Sequence, residues 1–586
     1  VLGGDEHVRA ASAIIDDMVE KSTAVDGVTG EKGLPAYASY VITGLAGFIE
    51  TFARRDDAFL PDLFRRHPNL LNTWRFHIDT WFECLYYPHS GDGGAFAGRD
   101  SLYAGARTSK SPGLEPSMFS FLVRLGRLTG DPAYLQVAWR ENGKSAEALP
   151  RDLFASDPEA DQKVVSDAVA RHGDIPKVGS VNKEGWCIAL MRSGTGANAR
   201  AFWLDYDSGG RHSHADCMNL GLYAKGLDLL PDMGYPPVQY GGWESEKALW
   251  YRKTSSHNTV VVDGRDQKGG GEPVKGTATL WADGSVLRAI RASAPDVNGI
   301  KRFERTVAMV DISDRDSYLV DVFRVEGGSS HVRHLRSSLG TIRTQGFRAI
   351  HRENPGPGEV MRNILTESSP KPGWSVEWTT PDGRGGYADP HLKLTDLTTG
   401  VVASTTQSWV STTGYDWSEG DGWIPGVMVR AFPERKDLFT TFASVIEPFD
   451  NKSNISRIRR LDLTRAGGTG SADSDVLVEL KLASGGSDLV AAIDPEYPGG
   501  GAIESRAVKF SSDAELAFVR KDAKGRVIRV AVSKGSTLSC GTFRLELGRK
   551  ADYIELDLSG GRAKVVSGDR GSVRSIASGG KLLVVE

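Results

Sequence analysis

The residues able to do chemistry cluster in one stretch, R-H-S-H-A-D-C-M-N-L-G-L-Y-A-K-G-L-D-L-L-P-D-M-G-Y from Arg211, then W-Y-R-K-T-S-S-H-N-T-V-V-V-D-G-R-D-Q ending at Gln267. His212 and His214 stand at alternate positions, so an extended segment would point them to opposite faces, one toward a cleft and one toward a buried site. The apolar run from Met218 to Leu230 reads as a hairpin turning near Lys225-Gly226, which returns Asp232 toward His214. His257, just ahead of a strand at Thr259–Val262, is a third candidate ligand. Two neutral imidazoles and a carboxylate suit Zn²⁺ with one position left over, and Mn²⁺ or Ca²⁺ are the alternatives. H-x-H by itself is weak evidence, since unrelated surface or core histidines also produce it.

Helical and strand-like segments must carry these residues. Apolar residues at three- and four-residue spacing predict helices from Val8, over Tyr37–Phe52, Trp74–Leu85 and Pro116–Leu128, the last followed by a Thr-Gly-Asp-Pro stop. The charged, weakly patterned Asp152–Lys183 reads as a linker helix. From Trp186 the period changes to that of strands, with runs at Arg200, Thr277, Val286, Arg305 and Ser317 and again at Leu477, Glu515, Val527 and Tyr553, which predicts a β-sandwich and a smaller β unit behind it. Two polar loops lie between the helices, Asp26-Gly-Val-Thr-Gly-Glu-Lys-Gly-Leu-Pro-Ala-Tyr37 and Tyr86-Tyr-Pro-His-Ser-Gly-Asp-Gly-Gly94. In the second, His89 and Asp92 are candidates for bonding sugar hydroxyls.

The bulk properties narrow the function. A chain of 586 residues exceeds one core, and a net charge of −4 gives no case for nucleic-acid binding. An anionic polymer would need a local basic groove, for which Arg99, Arg107, Arg192 and Arg211 are candidates. No apolar run is long enough for a membrane span. Four dispersed cysteines argue against a disulfide framework and a Cys-ligated zinc.

Three ordered segments, His212-Ser213-His214-Ala215-Asp216, Asp232-Met233-Gly234 and His257-Asn258-Thr259 through Gln267, resemble the central β-domain of the heparinase II/III-like polysaccharide lyases and related alginate lyases. The resemblance implies one structural divalent metal, Zn²⁺ first, at His214, Asp232 and His257, with His212 facing substrate. It implies a multidomain α+β chain: an incomplete N-terminal (α/α) toroid over 1–178, a central antiparallel β-sandwich with the metal site over 179–430, and a smaller C-terminal β domain over 431–586. The Asp26–Tyr37 loop resembles the family segment that leads to a proton-transferring tyrosine. Tyr37 matches that position, with Tyr40 as the fallback because the gap from Glu31 is one residue longer.

The activity implied by the resemblance is that of a lyase removing the C5 proton of a uronic acid and eliminating the C4 oxygen, from a glycosaminoglycan or an alginate- or ulvan-like glycan. Tyr37 is the expected acid and base, His212 its partner, and Glu31, His89, Asp92 and Arg211 the expected substrate-binding residues. A tyrosine, with its ordinary pKa near 10, needs positive charge or hydrogen-bond donors to serve as base. His331 and His334 are expected to be structural. A uronyl C5-epimerase and a non-catalytic glycan-binding protein are the alternatives. The family's upstream Asn-His pair has no counterpart before Asp26, where only His7 stands, so a missing N-terminal portion is expected. The resemblance also implies a secreted or periplasmic protein.

Overall fold

Thr129-Gly130-Asp131-Pro132 ends one helix and starts the next. Gly130 adopts φ +70° as the left-handed cap of the first, the Asp131 side chain accepts the Ala133 N–H, and Pro132 fills the first position of the second. The tetrapeptide is therefore a junction as well as the expected stop. The helical layer comprises α1 (Asp5–Ser22), α2 (Tyr37–Ala53), α3 (Phe59–Arg66), α4 (Leu70–Asp79), α5 (Pro116–Thr129), α6 (Pro132–Glu141) and α7 (Pro158–His172), and a short α8 (Glu246–Tyr251) follows within the β region. The helix expected over Trp74–Leu85 starts earlier and stops at Asp79, because Glu83 and Cys84 take φ +49° and +54° and turn the chain back through a Phe82–Tyr86 bridge. α3 has only eight residues, too few to show a period, and is held by buried Leu60, Leu63 and Phe64. The computed structural model describes residues 5–106, 114–151, 157–380, 390–414, 418–465, 473–497 and 501–586; Arg107 lies outside them.

All pairings between the strands are antiparallel. A five-stranded sheet runs in chain order from Val181–Lys183 to Leu227–Asp228. The expected hairpin is its last turn: Lys225 and Gly226 both have positive φ, +56° and +75°, as a two-residue turn of primed type requires. An eight-stranded and a six-stranded sheet share one core with it, and two seven-stranded sheets complete the chain.

Strand Ser317–Glu326 shows how these layers stack. Leu319, Phe323 and Val325 enter the core shared with the six-stranded sheet, while Tyr318, Val320 and Val322 pack on the first C-terminal sheet. A strand buried on both faces is continuously apolar, which explains the unbroken Tyr-Leu-Val and Val-Phe runs. The boundary expected at residue 430 is corrected here. Phe439–Asp450 is an inner strand of the eight-stranded sheet, paired to Ser317–Glu326 and to Pro390–Asp396, so the central layer continues to Asp450.

One buried cation joins the helical layer to the strands. Lys32 Nζ sits 2.7 Å from Asp207 Oδ1, donates to the Trp186 carbonyl at 2.7 Å, and lies 3.7 Å from the centre of the Trp186 ring. Burial opposes its charge, but Asp207 and Asp205 outweigh that and raise its pKa above the ordinary lysine value. The Lys32 N–H donates to the Arg211 carbonyl, and Asp26 accepts the Trp186 N–H at 2.9 Å. The loop that leads into Tyr37 is thus registered on the segment that carries His212.

Candidate functional site

His212 is not extended. Its φ of +55° turns the chain at that residue, and His212 and His214 end on the same carboxylate instead of on opposite faces. Asp92 Oδ2 lies 3.1 Å from His212 Nδ1, and Asp92 Oδ1 lies 3.1 Å from His214 Nε2. Burial works to raise the Asp92 pKa, but hydrogen bonds from His214 and His212 prevail and hold it below the ordinary carboxylate value. Gly91 makes this approach possible: its φ is +73°, and a Cβ there would stand 2.5 Å from the His212 carbonyl. That carbonyl accepts the Asp92 N–H at 2.8 Å.

An ionised Asp92 is acceptor only, so both imidazoles present N–H to it. With His214 neutral, as metal ligation requires, its Nδ1 is bare. His257 Nδ1 must donate to the Lys253 carbonyl at 2.8 Å, so its Nε2 is bare as well. These two nitrogens face each other at 3.2 Å, and the ligand atoms of His214, Asp232 and His257 all lie within 4.8 Å of one another. Zn–N bonds of 2.0–2.1 Å at a tetrahedral angle would set neighbouring nitrogens about 3.3 Å apart. Facing lone pairs repel unless a cation lies between them, so the donor set fits a divalent metal. All three residues are buried. Burial keeps His257 neutral, and burial pushes Asp232 up to about 6.

The rest of the three motifs braces this cluster. Asn219 Nδ2 donates to Asp232 Oδ2 at 2.5 Å and its Oδ1 accepts the Asn258 N–H at 2.9 Å. Gln267 takes both backbone groups of Cys217, and Thr259 Oγ1 donates to the Cys217 carbonyl. Beneath them Arg305, fully buried, holds Asp321 with two nitrogens at 2.8 and 2.7 Å and donates to the Met218 and Asn258 carbonyls. Gly234 is required by the close approach of loop 86–94, since a Cβ there would sit 2.8 Å from the Gly94 carbonyl. His331 and His334 are buried in the central layer, as expected of structural residues.

On the other side of His212 the helical layer arrives. The Tyr37 ring, at the first position of α2, stacks on the His212 ring with centroids 3.5 Å apart and planes 10° apart. Glu31 Oε1 lies 3.4 Å from His212 Nε2, on the ring edge away from the Asp92 contact. Tyr40 meets Tyr37 edge-on at 5.2 Å and is exposed. Sequence reasoning missed Tyr235, whose hydroxyl is 3.3 Å from that of Tyr37; its place just after Asp232-Met233-Gly234 was the available signal.

Three candidate contacts are held by protein groups, and a fourth is exposed. His89 is fully buried with Nε2 2.7 Å from Asp100, so it braces the loop and presents nothing to a substrate. Arg192, half-buried, donates to the carbonyls of Gly179 and Asp79, and Arg99 donates to Gly226 O. Arg211 is exposed and its carbonyl holds Lys32.

Behind His89 sits Asp228, buried in the protein. Burial, only partly offset by His89, pushes its pKa up to about 7, against about 3.9 unfolded. A raised carboxyl pKa favours the neutral form when folded. The associated stability is full below about pH 4 and is lost as the pH rises to 7, on the order of 4 kcal/mol. Asp228→Asn is expected to raise the melting temperature at pH 8 and leave it nearly unchanged at pH 4, which thermal melts across that range would check. Equal shifts at both pH values would refute the assignment.

Residues 201–340 match the family model described as heparinase II/III-like, C-terminal. No curated protein matches the chain. Among solved structures it is similar to a mutant of the heparan sulfate lyase HepC from Pedobacter heparinus, at 15% identity and TM-score 0.51, covering 83% of this chain and 62% of that one. It is also similar to a heparinase III, at 10% identity and TM-score 0.50, covering 82% and 63%. The chain spans 59–63% of the length of such structures. At these identities the likeness is one of fold: helices followed by many antiparallel sheets. The stretch that matches the heparinase II/III-like C-terminal model, residues 201–340, contains His212, His214, Asp232, Tyr235 and His257.

Proposed function

We propose that the chain is a polysaccharide lyase acting on a uronic-acid-containing glycan, with the helical layer as an incomplete toroid and the paired sheets as the sandwich. The observation that carries this reading is the Tyr37–His212 stack, two proton-transfer groups brought from different layers to a half-open surface. The C5 proton of a uronate lies α to its carboxylate, and a base within reach can remove it while an acid protonates the leaving C4 oxygen. In the products C4 and C5 share the new double bond, and the proton resides on the departing sugar. Tyr37 Oη, hydrogen-bonded to Tyr235, is positioned as the acid and as the base for a proton on its own side. His212 Nε2 is the base for the opposite geometry.

The metal we propose at His214, Asp232 and His257 supplies positive charge and locks the chain reversal that presents His212. Asp92 links the two parts, one oxygen to each histidine. Glu31 stands beside Nε2 of His212.

The test is absorbance at the unsaturated-uronate band with heparan, chondroitin and dermatan sulfates, hyaluronan, alginate and ulvan. The expected result is absorbance growing on at least one glycan. Solvent deuterium entering C5 without chain cleavage would replace the lyase with an epimerase, and no change in any glycan would reject both.

A further inference from the structure

The aromatic row at Tyr37 continues beyond the reacting groups. Tyr235 lies 6.2 Å from Tyr37 by ring centroids, and Trp243 lies 5.6 Å from Tyr235. Trp243 is 40% exposed although it packs against Tyr235. The Arg252 guanidinium stands 6.0 Å from the Trp243 ring centre, and its Nη2 donates to the Trp243 carbonyl at 3.1 Å. Its Nε is buried without a partner, and among the described residues no carboxylate pairs with it.

The two side chains are rigidly mounted. They flank the single-turn helix α8, which Ser245 caps and which is anchored through Trp250 Nε1 to the Trp409 carbonyl and through the Tyr251 hydroxyl, which accepts the Ser411 N–H. The Arg252 carbonyl accepts the Ala215 N–H, so this platform is tied to the segment that holds His212 and His214. An exposed aromatic face beside a guanidinium that no carboxylate neutralises among the described residues matches an acidic sugar. Such a sugar offers an apolar ring face and, at its edge, an oxyanion that the planar fork of arginine can grip.

We propose that Trp243 and Arg252 form a binding subsite for an acidic sugar residue adjoining the one at Tyr37, the indole taking the ring face and the guanidinium its carboxylate or sulfate. This rests on the reading of the site as a glycan lyase and names the feature of the glycan that it selects. Selection by charge here answers a need of the chain as a whole, which at net charge −4 cannot attract a polyanion by bulk field.

Calorimetric titration of the full chain carrying Tyr37→Phe, so that bound glycan is not consumed, would test it. The probes are oligosaccharides of alginate, carboxyl-reduced alginate and heparan sulfate. Trp243→Ala is expected to weaken every glycan that binds by roughly tenfold or more. Arg252→Gln is expected to weaken only the charged ones by a similar factor, and Arg252→Lys to recover part of the affinity. A drop on alginate identifies the carboxylate as the group held, and a drop confined to heparan sulfate identifies the sulfate. Parental affinities in both variants would overturn the subsite, and so would failure of every probe to bind the parent. The lyase reading is separable: binding abolished in both variants while the unsubstituted chain releases no unsaturated product would sink the lyase and leave the subsite standing.

Discussion

Tyr37→Phe is expected to lower turnover by about 10²–10⁴-fold, the range that one positioned acid–base group contributes, while leaving the melting temperature close to that of the parent. Stability is retained because the substitution spares the packing. The ring still stacks on His212 at 3.5 Å and still meets Tyr40, and removing the hydroxyl gives up only its 3.3 Å approach to Tyr235. Michaelis constants should change far less than turnover, since the hydroxyl matters in the transition state more than in binding. Initial rates at the unsaturated-uronate band, paired with thermal melts, check both halves. A rate within threefold of the parent would remove Tyr37 from the mechanism and leave Tyr40, which is exposed at the edge of the same ring, as the residue to substitute next.

The second large effect is expected on metal removal. The chain should carry one equivalent of divalent metal, with zinc preferred by its two imidazoles and one carboxylate. Metal at a hundred times its dissociation constant stabilises the folded chain by about 2.7 kcal/mol, so chelation should lower the melting temperature measurably. His257→Ala should abolish both the bound metal and the response to chelator. The pH dependence has a definite sign. Protons compete for the same donors, and Asp232, pushed up to about 6, protonates before an ordinary carboxylate would, so affinity should fall as the pH drops through 6. Elemental analysis of dialysed protein, with melts in EDTA at pH 5 and pH 8, reads each point. Less than a tenth of an equivalent of metal, with melts indifferent to chelator, would defeat the proposal.

These two expectations are coupled through Asp92, which touches both halves of the site. Removing the metal relaxes His214, and through Asp92 it should disturb His212. Chelation is therefore expected to lower activity as well as stability, although no step of the reaction passes through the ion.

Local pattern was enough to locate much of this protein. The period change at Trp186, the hairpin turn at Lys225-Gly226 and the helix from Tyr37 are set by alternation, by residues that accept positive φ, and by three- and four-residue spacing, all of which act over a few residues. The grouping of His214, Asp232 and His257 was legible because one hairpin and one strand join them, and the structure gathers those three atoms. What only the tertiary structure decided depends on contacts between layers. His212 gave up its extended conformation to the packing of loop 86–94 against it. His89 became buried because Asp100 claims it, and Tyr235 entered the site because Gly234 lets the chain pass Gly94. Phe439–Asp450 joined the central sheet through pairing with Ser317–Glu326, more than a hundred residues away. Short-range sterics and periodicity reside in the order of the residues. Which side chain meets which across a buried interface is fixed only when Lys32, Asp92 and Arg305 find partners outside their own element or sheet, because the cost of leaving such groups unpaired is settled by the whole fold.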